Sequence, residues 1–203
     1  MTSRFFNLVF SPSVKAAQRQ NGSRDAYGKR DGANESDKLG AQETQFIATR
    51  DSFYMASMGA GGWPYVQHRG GPVGFIKVLG ERTLGLADFR GNRQYVSVGN
   101  LADDNRVSLF MMDYPRRARL KLLGRARTVY LSKAPDLAAA LVDTDYGAKV
   151  ERGIVIDIEA FDWNCPQHIT PRFTLAEIEP SIAALKSRIA ELEAEVAGRN
   201  STA

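Results

Sequence analysis

Cysteine occurs once in the 203 residues, at Cys165, and histidine only twice, at His68 and His168. A lone thiol forms no internal disulfide and cannot supply the several thiolates of a structural zinc site or an iron–sulfur cluster. The two histidines stand far apart in the chain with no His-x-x-x-His helix between them, so no protein-ligated catalytic metal is expected. Redox chemistry in such a chain needs an organic cofactor. Long apolar runs are missing too: no stretch reaches the roughly 18 residues of a membrane span, and Met1–Phe10 carries a single arginine and only a short apolar stretch. Neither a membrane segment nor a targeting leader is expected, and a cytoplasmic location follows. Nor is one sign of charge dominant. The 27 Lys and Arg against 23 Asp and Glu leave +4, which suits an anionic ligand, a nucleic acid or solubility alone. With 43% hydrophobic and 25% charged residues, collagenous, mucin-like and wholly disordered chains are excluded, and one sizeable core is within reach.

What is present changes character along the chain. From Ser11 to Gln45 the sequence is polar, with scattered glycines, which reads as a mostly irregular arm over residues 1–45 that carries short helical pieces and orders only by docking. Between Ile47 and Tyr130 come strand-sized apolar runs: Phe53–Ser57, Tyr65–His68, Val73–Leu79, Thr83–Ala87, Val107–Met112 and Leu120–Val129. Glycine turns at Gly59–Gly62, Gly70–Pro72 and Gly80–Arg82 separate them, and the short spacing favours an antiparallel barrel over a parallel sheet. A helix is expected at Arg93–Leu101 with Asn92 as N-cap, another from Pro135, and a last strand at Ile154–Phe161. Near the end, Ile182, Leu185, Ile189, Leu192 and Val196 are spaced 3, 4, 3, 4. That is a heptad seam with β-branched residues at a and leucine at d, the pattern of a parallel two-stranded coil, with Arg188 at g and Glu193 at the following e. The same stripe also suits a helix that packs on its own barrel.

Three segments carry candidate chemistry. Trp63-Pro-Tyr-Val-Gln-His-Arg-Gly-Gly-Pro72 places Gln67, His68 and Arg69 at a strand end and bends through Gly70, where a flat ligand can approach the backbone, or forms a plain wide hairpin. Ala87-Asp-Phe-Arg-Gly-Asn-Arg-Gln-Tyr95 brings Arg90 and Arg93 to a glycine turn before a helix, a phosphate site or an ordinary capped helix. Arg116–Arg127 alternates basic with apolar residues, so one strand face is basic, able to meet an anion or simply solvated. Trp163-Asn-Cys-Pro-Gln-His168 then gathers an indole, a thiol and an imidazole in six irregular residues.

Taken in order, from about Phe46 to Arg172, these segments resemble the pyridoxamine 5′-phosphate oxidase-like flavin-binding split barrels. Gln67-His68-Arg69-Gly70-Gly71-Pro72 stands where that family has Arg-x-Val-Leu-Leu-Lys along the isoalloxazine ring. Ala87-Asp88-Phe89-Arg90-Gly91-Asn92-Arg93-Gln94 stands where it has the Tyr-Thr-Asn-x-x-Ser-Arg-Lys phosphate turn, with Arg93 retained. Asn105–Phe110 copies a Pro-Arg-Val-x-Leu-x-Phe strand, Arg119 falls at the family's flavin-contacting glutamine, and Trp163 with Arg172 is similar to a C-terminal Trp…Arg pair. The oxidase's Arg-x-His tail signature is absent, so the chain looks more like a flavin-binding relative than the oxidase proper.

The resemblance implies a mainly β fold: a six-stranded antiparallel split barrel over residues 46–172, binding FMN, with an amphipathic helix over 173–203. It implies cofactor contacts from Gln67, His68, Arg69, Gly70, Ala87, Asp88, Asn92, Arg93, Gln94, Arg119, Trp163 and Arg172, with His168 and Cys165 as candidates for proton or sulfur chemistry. It also implies a homodimer acting on a small-molecule substrate or electron donor, without nucleic acid or membrane. Three functions stay in view: an FMN-dependent oxidoreductase, a flavin carrier or sensor without turnover, and a basic nucleic-acid-binding barrel.

Overall fold

The computed structural model describes residues 4–28, 36–163 and 165–200, the last three without their side chains. Four helices come first: α1 (Arg4–Val9), α2 (Pro12–Gln20), α3 (Arg24–Gly28) and α4 (Ala41–Ala48). Then follow β1 (Ser52–Met58), β2 (Pro64–Gly70), β3 (Ile76–Gly80), β4 (Thr83–Phe89), α5 (Val96–Asp103), β5 (Arg106–Asp113) and β6 (Ala118–Val129). A 3₁₀ turn (Leu131–Lys133), α6 (Pro135–Leu141), β7 (Val150–Trp163) and α7 (Leu175–Asn200) complete the order.

The seven strands form one antiparallel sheet in the order β2-β1-β5-β6-β7-β4-β3. It is a split barrel: β2 and β3 end the sheet and do not pair with each other. The six-stranded count implied by the resemblance is one short. Each of the seven apolar runs read from the sequence holds a strand, because each alternates or buries its apolar side chains, but the run read as Val73–Leu79 begins in a turn through Gly74 at φ 76° and its strand starts at Ile76.

Alternation builds the core. Phe53 and Met55 of β1, Leu109 and Met111 of β5, and Leu120 and Leu122 of β6 are all essentially inaccessible and point to one face. Each such burial is worth about 1.5–3 kcal/mol before the entropy of ordering is counted. Strand β4 departs from alternation, with every residue from Leu84 to Asp88 buried. Its second face is covered by Leu141 of α6 and Leu79 of β3, whose side-chain tips approach the position a Cβ would take on Gly85. A carboxylate in a strand buried on both faces needs a countercharge, and Asp88 is such a carboxylate.

The arm, expected to be mostly irregular, is mostly helical among its described residues, because its polar runs carry few breakers inside each helix, and α1 docks on the sheet. Phe5 and Phe6 of α1 bury themselves with Ala160 of β7 and pack on Leu123 of β6, while Arg4 reaches Glu159 at 2.7 Å. Gly32 of the arm lies outside the described residues, as does Asn164 of the tail segment.

The chain divides into two compact units. Among the described residues, the first runs to Asp113 and resumes over Ala118–Pro166, and so holds the whole sheet. The second consists of the turn Tyr114–Arg117 and the chain from Gln167 onward, mainly α7. Within it, the Arg172 guanidinium lies 5.0 Å from the centre of the Tyr114 ring.

Candidate functional site

In the first unit a cleft of about 240 Å³ opens between the end of β2, the end of β4 and the segment leading into α5. Its polar chemistry starts at Asp88. Asp88 Oδ1 accepts a hydrogen bond from Arg69 Nη1 at 2.6 Å across the cleft, and Asp88 Oδ2 faces Arg152 Nε at 3.4 Å. The register of β4 against β7 puts Asp88 opposite Arg152, so that second cation is delivered by strand pairing. Arg152 also donates to Glu151 Oε2 at 2.9 Å and lies 5.0 Å from the centre of the Tyr95 ring. Tyr95 in turn donates to Glu151 Oε1 at 3.2 Å, and Arg90 Nε stands 3.6 Å from the same oxygen.

The electrostatics of this chain of groups has a definite sign. Partial burial pushes the Glu151 carboxyl up, but hydrogen bonds from Arg152 and Tyr95 and the charges of Arg152 and Arg90 outweigh it and hold it below the usual carboxylate range. Arg93 is moved upward, first by its hydrogen bond to Tyr95 and then by the charges of Tyr95 and Glu151. Four arginines, at 69, 90, 93 and 152, meet two carboxylates, leaving two positive charges without an anion. Arg69 Nε is buried and makes no hydrogen bond, a donor in the cleft wall left for something else. Beside it, Gln67 is oriented by Ser97, whose hydroxyl donates to Gln67 Oε1 at 2.8 Å.

The turn before α5 differs from its reading in the sequence. The helix begins at Val96, three residues beyond Arg93, and its N-cap is Tyr95 in the left-handed region at φ 54°. Asn92 does not cap it; Asn92 Oδ1 accepts from the Gln94 N–H at 3.1 Å and closes a tight local turn that turns Arg93 through φ 61°. Arg93 therefore stands in an irregular hook before the helix, not in its first turn. Gly91 on the same hook has open space where a Cβ would be.

Of the residues singled out from sequence, the structure brings Gln67, His68, Arg69, Gly70, Ala87, Asp88, Asn92 and Arg93 to this one cleft. Gln94 is exposed beside it. Arg119 lies on β6 opposite Met112, with its Nε buried and without a hydrogen bond, and does not line the cleft. Trp163 ends β7 elsewhere in the first unit, donating from Nε1 to Glu43 Oε1 at 2.7 Å and standing edge-on to Phe46 at 4.8 Å. Cys165 is exposed, and His168 and Arg172 belong to the second unit. Two participants escaped the sequence reading, Arg152 and Glu151, while Tyr95 closes the segment that the sequence singles out but has no role in that reading. The signal for them was Asp88 itself, a carboxylate inside the otherwise apolar Leu84–Phe89.

The basic alternation of β6 also looks different once strands are paired. Lys121 meets Asp162 at 2.9 Å, Arg125 meets Glu159 at 3.2 Å, and Arg127 is paired with Asp157, all acids of β7. No cluster of metal-ligating side chains and no helix long and apolar enough to cross a membrane occurs among the described residues.

Comparison with known proteins agrees with the resemblance. The profile of the family described as pyridoxamine 5′-phosphate oxidase matches residues 39–178. The chain is similar to a solved candidate pyridoxamine 5′-phosphate oxidase from Lactobacillus delbrueckii, at 20% identity and TM-score 0.47, over 62% of this chain and 93% of that one. It is similar to a protein from Clostridium acetobutylicum related to general stress protein 26, at 16% identity and TM-score 0.43, over 68% and 94% of the two chains. An FMN-binding protein from Syntrophomonas wolfei is 11% identical at TM-score 0.43, over 75% of this chain and 95% of that one. No curated protein matches the chain.

Proposed function

The chain belongs to the pyridoxamine 5′-phosphate oxidase family, and from that premise we propose that its cleft binds flavin mononucleotide and that the protein is a flavin-dependent oxidoreductase acting on a small molecule. The observation that carries the reading is the excess of positive charge at the cleft, where Arg69, Arg90 and Arg93, with Arg152 beside Asp88, meet two carboxylates, together with the unpartnered Arg69 Nε. A phosphate monoester supplies two negative charges near neutral pH and strong acceptor oxygens, and the hook at Gly91–Arg93 offers room for its close approach. Arg93 and Arg90 hold the phosphate. Gln67, fixed by Ser97, and His68 meet the polar side of the ring, and Asp88 keeps Arg69 oriented toward it.

The bound flavin supplies hydride or electron transfer, and the protein supplies placement, charge compensation and hydrogen bonds that set its potential. The cleft is smaller than the roughly 300–1,000 Å³ of enclosed ligand sites, so one chain covers the group in part, in keeping with a homodimer that completes the site. A second reading, a flavin carrier or sensor without turnover, has its own support. The carboxylates of the cleft are engaged with arginines and Tyr95, which leaves His68, edge-on to Tyr54 at 5.6 Å, as the cleft side chain outside that network able to carry a proton.

The absorption spectrum of the purified protein, with identification of what denaturation releases, tests the binding. Titration of apoprotein should favour flavin mononucleotide over riboflavin by at least tenfold; equal affinities would remove the phosphate site. Steady oxidation of a reduced nicotinamide by the yellow protein selects the oxidoreductase, and stable flavin without turnover selects the carrier.

A further inference from the structure

Helix α7 takes no part in the cleft. Helix α7 runs for 26 residues and begins with a capping box: Thr174 Oγ1 accepts from the Glu177 N–H at 3.3 Å, and Glu177 Oε2 accepts from the Thr174 N–H at 2.8 Å. This early start adds Leu175 and Ile178 to the seam of Ile182, Leu185, Ile189, Leu192 and Val196, and the 3, 4 alternation holds throughout. Ile178 is half-buried, and the other six are 42–82% exposed. The seam is an apolar stripe left largely exposed among the described residues.

We propose that α7 pairs in parallel and in register with α7 of a second copy of this chain, as a two-stranded coiled coil. Positions a are Leu175, Ile182, Ile189 and Val196, and positions d are Ile178, Leu185 and Leu192. Isoleucine or valine at a with leucine at d, which holds from Ile182 to Val196, is the packing preference of parallel dimers. Pro180 falls at f, on the outer side, where its ring and missing N–H stay out of the seam.

Charge chooses the direction. In a parallel pair Arg188 at g faces Glu193 at e of the partner subunit, and two-fold symmetry makes that contact twice. Arg188 already holds Glu191 at 2.9 Å within its own helix, and a guanidinium has donors for both. An antiparallel pair that aligned the same seam would set Ile182 against Leu192 and Leu185 against Ile189. Its centre would then bring Lys186 toward Lys186 and Arg188 toward Arg188. Three heptads are near the shortest length that associates, so the measurement belongs to the full chain.

The experiment uses full-length protein with Cys165→Ser, which removes the exposed native thiol, and one new cysteine. Under mild oxidation Leu192→Cys, at d, is expected to form an interchain disulfide in most chains, while Ser187→Cys at f forms little. Adding Arg188→Glu to the Leu192→Cys protein should slow that cross-link severalfold, and adding Glu193→Arg as well should restore it. Equal yields at 192 and 187 overturn the proposal, because the seam then covers something other than a second copy. Cross-links that appear only in a mixture of Ile182→Cys and Leu192→Cys chains overturn the parallel register, and so does a charge reversal that the second substitution fails to rescue.

Discussion

Asp88 shows how much a single residue can be asked to hold. Its side chain is about one-tenth exposed and lies between Arg69 and Arg152. Asp88→Ala leaves two guanidinium groups crowded without their anion, and a loss of about 3–5 kcal/mol is expected. The urea midpoint should fall accordingly; an unshifted midpoint would mean that water reaches both arginines. Arg93 is the opposite case, exposed and free of the core. Arg93→Ala should leave folding intact but weaken flavin mononucleotide binding about tenfold to a hundredfold, the worth of one charge-assisted hydrogen bond of roughly 1.5–3 kcal/mol. Titration of the apoprotein reads it directly. A third prediction concerns acid. Hydrogen bonds from the Arg106 side chain and backbone pull the Asp104 carboxyl down to about 2. The stabilisation from that pair is full above the unfolded value of about 3.9 and disappears as pH falls through 2. Asp104→Asn should therefore melt below the wild type at pH 6 and level with it near pH 2, and a gap that persists in strong acid would contradict the assignment.

At the scale of elements, glycine separates a close approach that can relax from one that cannot. A Cβ on Gly124 would meet the Asp157 carbonyl oxygen at 2.6 Å, where the β6–β7 register shifts between Leu123 and Gly124. A Cβ on Gly85 would meet only the side-chain tips of Leu141 and Leu79, at 2.7 Å. Gly124→Ala should thus cost more than Gly85→Ala, about 1–3 kcal/mol where the backbone must move, and thermal melting of the two variants compares them. The same elements show what could be read in advance. Strands were legible because alternation and glycine turns are local signals, whereas the arm was legible only as polar chain, and the burial of Phe5 and Phe6 against β7 has no such local signal. The start of α5 was misplaced because Asn92 has two uses for one side-chain oxygen. It spends that oxygen on the Gln94 N–H two residues on rather than on a helix N-terminus. Much of the cleft was legible as a list of residues but not as a circuit. Arg152 meets Asp88 only through the pairing of β4 with β7, about sixty positions apart in the chain, and no local pattern encodes that register.

For the molecule as a whole, a net charge of +4 is an average over faces that have settled their own accounts. The basic residues Lys121, Arg125 and Arg127 of β6 are matched by β7 carboxylates. A mixed-sequence DNA duplex in dilute salt is therefore expected to leave the protein's sedimentation unchanged; a complex that dissolves steeply with added salt would restore the nucleic-acid reading. The open sheet has one more consequence, for the protein at high concentration. Strands β2 and β3 each carry a ladder on one side only, and such a border invites extra strands to add on, copy after copy, into filaments. Proline at the start of β2, a lysine within β3 and the register slip between Val78 and Gly80 oppose that growth. Replacing Pro64 and Lys77 by valine would remove two of the three guards without touching the cleft, and the shelf life of a concentrated stock would be the first property to suffer.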